Sequence, residues 1–171
     1  MNRRYGTTMC VIRLIFECLL LLGGKMNIEL YNELPKEAYE IRKEVFVEEQ
    51  GFDHEFDNID KTAKHLVAYD GEIPVATCRF FHLSNQKYVI GRIAVRKQYR
   101  GKHIGSYLLR SAEDTIKQLG GTEIRLHAQE KVKTFYEKQG YCSCGEIDFD
   151  ESCPHVWMYK KLGKENKLHH A

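Results

Sequence analysis

Between Tyr99 and Leu109 the chain reads YRGKHIGSYLL. Gly101 and Gly105 bracket a basic turn that runs straight into an apolar-periodic segment. The first backbone N–H groups of a helix have no partner within it and carry partial positive charge. Glycines let an anion approach that backbone closely. Arg100 and Lys102 add charge that suits a pyrophosphate. The chemistry is phosphate binding by backbone amides, although a solvated strand-to-helix turn would carry the same glycines for its geometry. The turn is not a Walker loop, because no GK[ST] ends it, nor a dinucleotide GxGxxG, because no early strand or suitably placed acid accompanies it. His103 stands where a third glycine would be expected. If position 103 needs a positive φ, the His is strained there. In ordinary helical geometry its imidazole would instead add a pH-sensitive phosphate contact.

A second constellation is Cys142, Cys144, Cys153 and His155, a C-x-C…C-x-H pattern across an expected hairpin. Alternation puts each pair on one face of its strand. Four such ligands could hold zinc tetrahedrally, but structural sites usually space their cysteines C-x₂₋₄-C, and the expectation is no metal.

The elements that must position these groups follow from periodicity. MNIELYNEL from Met26 alternates as a strand, and KEAYEIRKEVFVEEQ places Ala38, Ile41, Val45 and Phe46 at helical spacing. GFDHEFDNIDKT reads as an acidic loop with one turn at most. Two strands flank Asp70-Gly71, and a third contains Gly91, which marks a bulge or a close backbone approach. Ile104, Leu108, Leu109, Ala112, Ile116 and Leu119 define an amphipathic helix that Gly120-Gly121 ends. A strand TEIRLHAQ, a short helix EKVKTFYEKQ and a closing hairpin follow. The order β-α-β-β-β-α-β-α-β-β implies an α/β fold. Its mixed, mostly antiparallel central sheet contains one parallel strand pair around Val95 to Gln129, with helices on its faces.

The 171 residues fit one domain with a full core. Composition is ordinary for a globular chain, at 43% hydrophobic and 29% charged. A formal net charge of +2 gives no case for nucleic-acid binding. The six cysteines show no disulfide framework, which favours reduced thiols and a cytoplasmic protein. Residues 1–25 begin basic and then apolar, but Arg13 and Glu17 interrupt the patch and no small-x-small cleavage site follows. The patch is shorter than the roughly 20 residues a bilayer needs, so no stable membrane insertion is expected. Three readings stand: a targeting segment, an extra helix, or translated upstream sequence, since Gly23-Gly24-Lys25-Met26 is what a purine-rich ribosome-binding site before a start codon would encode. The folded domain is expected over 26–163, with 164–171 a polar tail.

VIGRIAVRKQYRGKHIGSYLL, followed after a strand by TFYEKQGY, resembles the GNAT superfamily of acyl-CoA-dependent N-acyltransferases. The family pattern [RQ]-x-x-G-x-[GA] falls on Arg100, Gly101, Lys102, His103, Ile104 and Gly105, with His103 in place of the first pattern glycine. IRKEVFVEEQGF, DNID, AQEKVKTFYEKQGY and PHVWM extend the likeness to its ElaA-like branch, over about Met26 to Leu162.

The resemblance implies acetyl-CoA as co-substrate and an amine acceptor, with direct attack and no covalent enzyme nucleophile. It implies a splayed strand whose Ile93, Ala94 and Val95 pair with the pantetheine arm. It lays the pyrophosphate on the N–H groups from Arg100 to Ser106, and puts Gln129 and Phe135 against the cofactor. A backbone N–H near Ile93 would polarise the thioester carbonyl. Tyr136 matches the family's general acid, and it would also serve as a core aromatic beside Phe135. The attacking ammonium must lose a proton, for which Glu49, His127 and His155 are the candidates. Phe46, Arg79, His82, Arg92 and His127 are candidates for holding the acceptor. A homodimer is compatible with this reading, and so is a non-catalytic acyl-CoA sensor with its loop altered at His103.

Overall fold

A computed structural model describes residues 26–163, so residues 1–25 and 164–171, with the leader and tail expectations, lie outside the described part. Seven strands form one sheet: β1 (Met26–Tyr31), β2 (Lys64–Asp70), β3 (Ile73–Ser84), β4 (Lys87–Val95), β5 (Glu123–Gln129), β6 (Cys142–Asp150) and β7 (Cys153–Lys161). Their spatial order is β1-β2-β3-β4-β5-β7-β6. Three helices flank them: α1 (Lys36–Arg42), α2 (Ile104–Gln118) and α3 (Lys133–Lys138). The fold is the mixed α/β sheet expected from the sequence, antiparallel throughout except where β4 meets β5.

One face of the sheet packs on α2 through Ile104, Leu108, Leu109, Ala112 and Ile116, the period read from the sequence. Leu119 departs from that period because the helix ends at Gln118, which leaves its side chain exposed. The other face packs on α1 through Ala38 and Ile41, and on the following turn through Val45, against Val67 and Ala94. The expected first helix is longer than its α-helical part. From Lys43 to Glu48 it widens into a π turn, a form found as single turns at functional sites. Val45 stays in the core there, while Phe46 and Glu49 reach the cavity described below.

Two irregularities in β4 open the sheet. Only Lys87, Tyr88 and Val89 pair with β5, opposite Glu123, Ile124 and Arg125. Beyond them the strands part, although β4 continues to Val95 and β5 to Gln129. On its other side β4 bulges: Thr77 pairs with Ala94 and Arg79 with Gly91, so Arg92 and Ile93 face a single residue of β3. Gly91 signalled this bulge, but the positive φ of 54° belongs to Arg92.

Among the described residues no helix is long and apolar enough to cross a membrane.

Candidate functional site

The gap between β4 and β5 holds a cavity of about 570 Å³. Its β4 wall is formed by Ile93, Val95 and neighbours, while Ala94 points to the opposite face and is buried under α1. The turn after β4 supplies Arg100, Gly101, His103, Ile104, Gly105 and Ser106 to the cavity. Gly101 has φ +77° and His103 φ +60°. Two left-handed residues therefore curl the chain into the N-terminus of α2. Position 103 takes the strained alternative, not the helical one.

No side chain caps α2 at His103. The first intrahelical bond runs from the Tyr107 N–H to the His103 carbonyl, which leaves the earlier N–H groups without helix partners beside the cavity. A Cβ on Gly105 would lie 3.6 Å from Phe135 Cζ and 3.7 Å from Val95 Cγ2. That is ordinary contact, so the turn packs on α3 with room for a Cβ. Lys102 does not line the cavity; its ammonium lies over the Tyr99 ring at 5.0 Å.

Tyr136 and Phe135 line the cavity from α3, their rings edge to face at 4.9 Å. Burial pushes the Tyr136 hydroxyl well above the ordinary phenol range, so it keeps its proton at neutral pH. Gln129 closes the β5 wall and donates to Gln50 at 2.8 Å.

The cavity is also lined by the three candidate bases. Glu49 accepts both terminal nitrogens of Arg100, at 2.6 and 2.7 Å. Those hydrogen bonds hold its carboxyl below the usual range. His127 Nε2–H donates to Asp148 at 2.5 Å, and the ring stacks on Trp157. His155, 5% exposed, donates Nδ1–H to the Cys153 carbonyl at 2.9 Å, which leaves Nε2 as its free lone pair. The two imidazoles are 4.7 Å apart, and Phe52 meets His155 edge-on.

Of the acceptor candidates, Phe46, Arg92 and His127 line the cavity, whereas Arg79 and His82 do not. β3 is buried on both faces from Val75 to Phe80, so Arg79 points into the protein. It donates to Asp57 and Asp60 at 2.7 Å each. His82 is exposed beyond that stretch, edge-on to Tyr88. Arg42, which sequence reasoning passed over, is fully buried and donates to Glu55 at 2.7 Å and Asp60 at 2.6 Å. Three arginines (Arg42, Arg79, Arg92) thus balance three acids (Glu55, Asp57, Asp60). Burial works against ionisation of Asp60, but the Arg42 and Arg79 hydrogen bonds outweigh it and hold the carboxyl far below the usual range. At Glu55 burial prevails and raises the pKa.

Glu151, also missed, sits at the β6–β7 turn with φ +52°. Its carboxylate accepts from the backbone N–H groups of Asp53 and His54 at 3.0 Å, tying the hairpin tip to the loop after the π turn. Arg79 and Arg92 read equally well as ion-pair residues from the sequence, but nothing local marked Glu151.

The zinc alternative fails on register. Cys153 pairs with Asp150 and Cys142 with Tyr159, so the two ends of the C-x-C…C-x-H pattern lie about 20 Å apart along the hairpin at roughly 3.3 Å per residue. Among the described residues no three His, Cys, Asp or Glu side chains converge as a metal would require.

A seven-stranded mixed sheet opened between its parallel strands, with a glycine turn and helix N-terminus at the opening, is the arrangement of the GNAT acyltransferases. The chain belongs to the family described as the acetyltransferase (GNAT) domain, whose sequence profile matches residues 32–162. The uncharacterised N-acetyltransferase YjcF of Bacillus subtilis is 34% identical over 139 residues, covering 80% of this chain and 99% of YjcF. ElaA of Escherichia coli is 25% identical over 129 residues, covering 72% of this chain and 84% of ElaA. The crystal structure of ElaA superposes with a TM-score of 0.70 at 24% identity, over 80% of this chain and 99% of that one. A Bacillus subtilis acetyltransferase solved in complex with CoA has the same fold, with a TM-score of 0.62 at 21% identity over 81% and 99% of the two chains.

Proposed function

We propose that the protein transfers acetyl from acetyl-CoA to a primary amine of a small molecule or peptide, by direct attack in a ternary complex. The observation that carries this reading is the β4–β5 opening, which ends against the uncapped N-terminus of α2. The edge of β4 beyond Val89, which no longer pairs with β5, suits the amide groups of a pantetheine arm. The N–H groups from Gly101 to Ser106 suit its pyrophosphate.

The chemistry divides among named groups. His155 Nε2 takes a proton from the ammonium, and the freed amine attacks the thioester carbon. The Ile93 N–H supports the negative oxygen that forms. As the C–S bond breaks, Tyr136 donates its proton to the thiolate, the nitrogen's second proton returns to the Tyr136 phenolate, and His155 passes its proton to solvent, leaving an amide and free thiol. His155 is preferred over Glu49 because the Glu49 carboxylate is occupied by Arg100. Incubating the protein with acetyl-CoA and a panel of primary amines, with N-acetyl product read by mass spectrometry, tests the reading. Product on at least one amine supports it, and acetyl-CoA binding without product on any amine contradicts it.

A further inference from the structure

Arg92 occupies the left-handed region, φ +54°, in the middle of a strand. An L-residue is strained there, because its Cβ crowds the backbone. Gly91, immediately before it, has no positive φ. The chain therefore has a glycine one position away and still puts an arginine at the strained one. A long cationic side chain is what that position gains.

The Arg92 side chain reaches the loop after the π turn. Nε donates to the Glu55 carbonyl at 3.1 Å and pairs with the Glu55 carboxylate at 3.0 Å. A terminal nitrogen lies 3.6 Å from Asp57. Glu55 is itself immobilised, 4% exposed and bonded by Arg42 at both its carboxylate and its carbonyl. Asp57 is held by Arg79 of β3, the strand against which the bulge forms. The bulge is thus fastened from its own strand partner and from the loop. Its second residue is Ile93, on the cavity wall.

We infer that Arg92 is a positioning residue: its side chain, held by Glu55, fixes the β4 bulge so that the Ile93 N–H is aimed at the reacting carbonyl. This rests on the transfer reading above. The side chain makes no contact with a substrate in this scheme. It acts through the backbone, on a hydrogen bond that matters most as charge develops, so its loss falls on kcat and not on KM. The anchor also joins the acceptor wall to the acyl end, because the loop that carries Glu55 carries Phe52.

The test compares wild type with Arg92→Gly and with the double variant Glu55→Gln/Arg92→Gly, using acetyl-CoA and an amine that wild type acetylates. Glycine accepts φ +54° without strain, and the double variant removes the buried carboxylate that the single one leaves short of a partner. The expected result is a kcat lower by about 10- to 100-fold in both, with KM for acetyl-CoA within about twofold. The double variant is expected to keep its thermal midpoint. A folded variant with kcat near wild type overturns the inference, as does a loss confined to KM or one that follows the thermal midpoint in both variants. Wild type that binds acetyl-CoA and acetylates nothing overturns the transfer reading, and this inference with it.

Discussion

Arg100, at the head of the glycine turn, is clamped by Glu49, at the end of the π turn, through two parallel hydrogen bonds of 2.6 and 2.7 Å. Its Nε donates to the Val95 carbonyl at 2.9 Å. The guanidinium is therefore directed at protein groups, and in the proposed reading the pyrophosphate is left to backbone amides. Glu49→Gln removes the charge partner and frees Arg100 for a phosphate. Acetyl-CoA affinity is expected to rise by up to about fivefold, as befits a half-exposed pair, and to fall back as salt is added. Titration calorimetry at low and high salt checks this.

Tyr136→Phe removes one oxygen from a buried ring that otherwise keeps its contacts with Phe135 and Tyr141. The expected result is kcat lower by about 10²- to 10⁴-fold, the range for a lost general acid, with acetyl-CoA affinity and thermal midpoint unchanged. A variant with wild-type kcat would return Tyr136 to the core.

His103→Gly relieves a left-handed residue at φ +60°. About 1 kcal/mol of backbone strain is removed, which corresponds to roughly 2–4 °C in Tm for a chain of this size. Acetyl-CoA binding is expected to tighten, because the cradle geometry no longer works against its own residue. Gly101→Ala, at φ +77°, is expected to shift both quantities the other way. Thermal scans with and without acetyl-CoA read both variants.

The ion cluster sets the acid limit of stability. The Arg79 hydrogen bond holds Asp57 below its ordinary value, and at Asp60 the arginine hydrogen bonds overcome burial to the same end. A depressed carboxyl stabilises the fold above its unfolded pKa, near 4, and that contribution is lost as pH falls toward the folded value. Glu55 runs oppositely, because burial raises its pKa and its protonation relieves a cost. Asp60→Asn leaves Arg42 and Arg79 short of a carboxylate and is expected to cost about 3–5 kcal/mol at neutral pH. Its stability is expected to decline less steeply below pH 5. Urea denaturation from pH 3 to 7 on both proteins measures the two effects.

The element order was legible because each element announces itself locally: alternation from Met26, the helical period from Ile104, glycines at the turns. The glycine turn before the second helix was legible for the same reason, since its residues are contiguous. Arg79 was misjudged because alternation does not tell a strand with one buried face from a central strand with two, and β3 is the latter. The zinc alternative arose because residues that share a strand face can still lie at opposite ends of a hairpin. Arg42 and Glu55 are 13 positions apart and meet only after the loop folds back, so no local pattern marks them. The β4 bulge was half visible: Gly91 pointed to it, but not to the arginine that holds it.

In the proposed reaction acetyl passes directly between two bound substrates, with no acetylated enzyme between them. Initial rates of thiol release, measured over a range of acetyl-CoA concentrations at several fixed concentrations of an accepted amine, test it most directly. Direct transfer gives intersecting double-reciprocal lines. Parallel lines, the mark of an enzyme-bound acetyl intermediate, would contradict it.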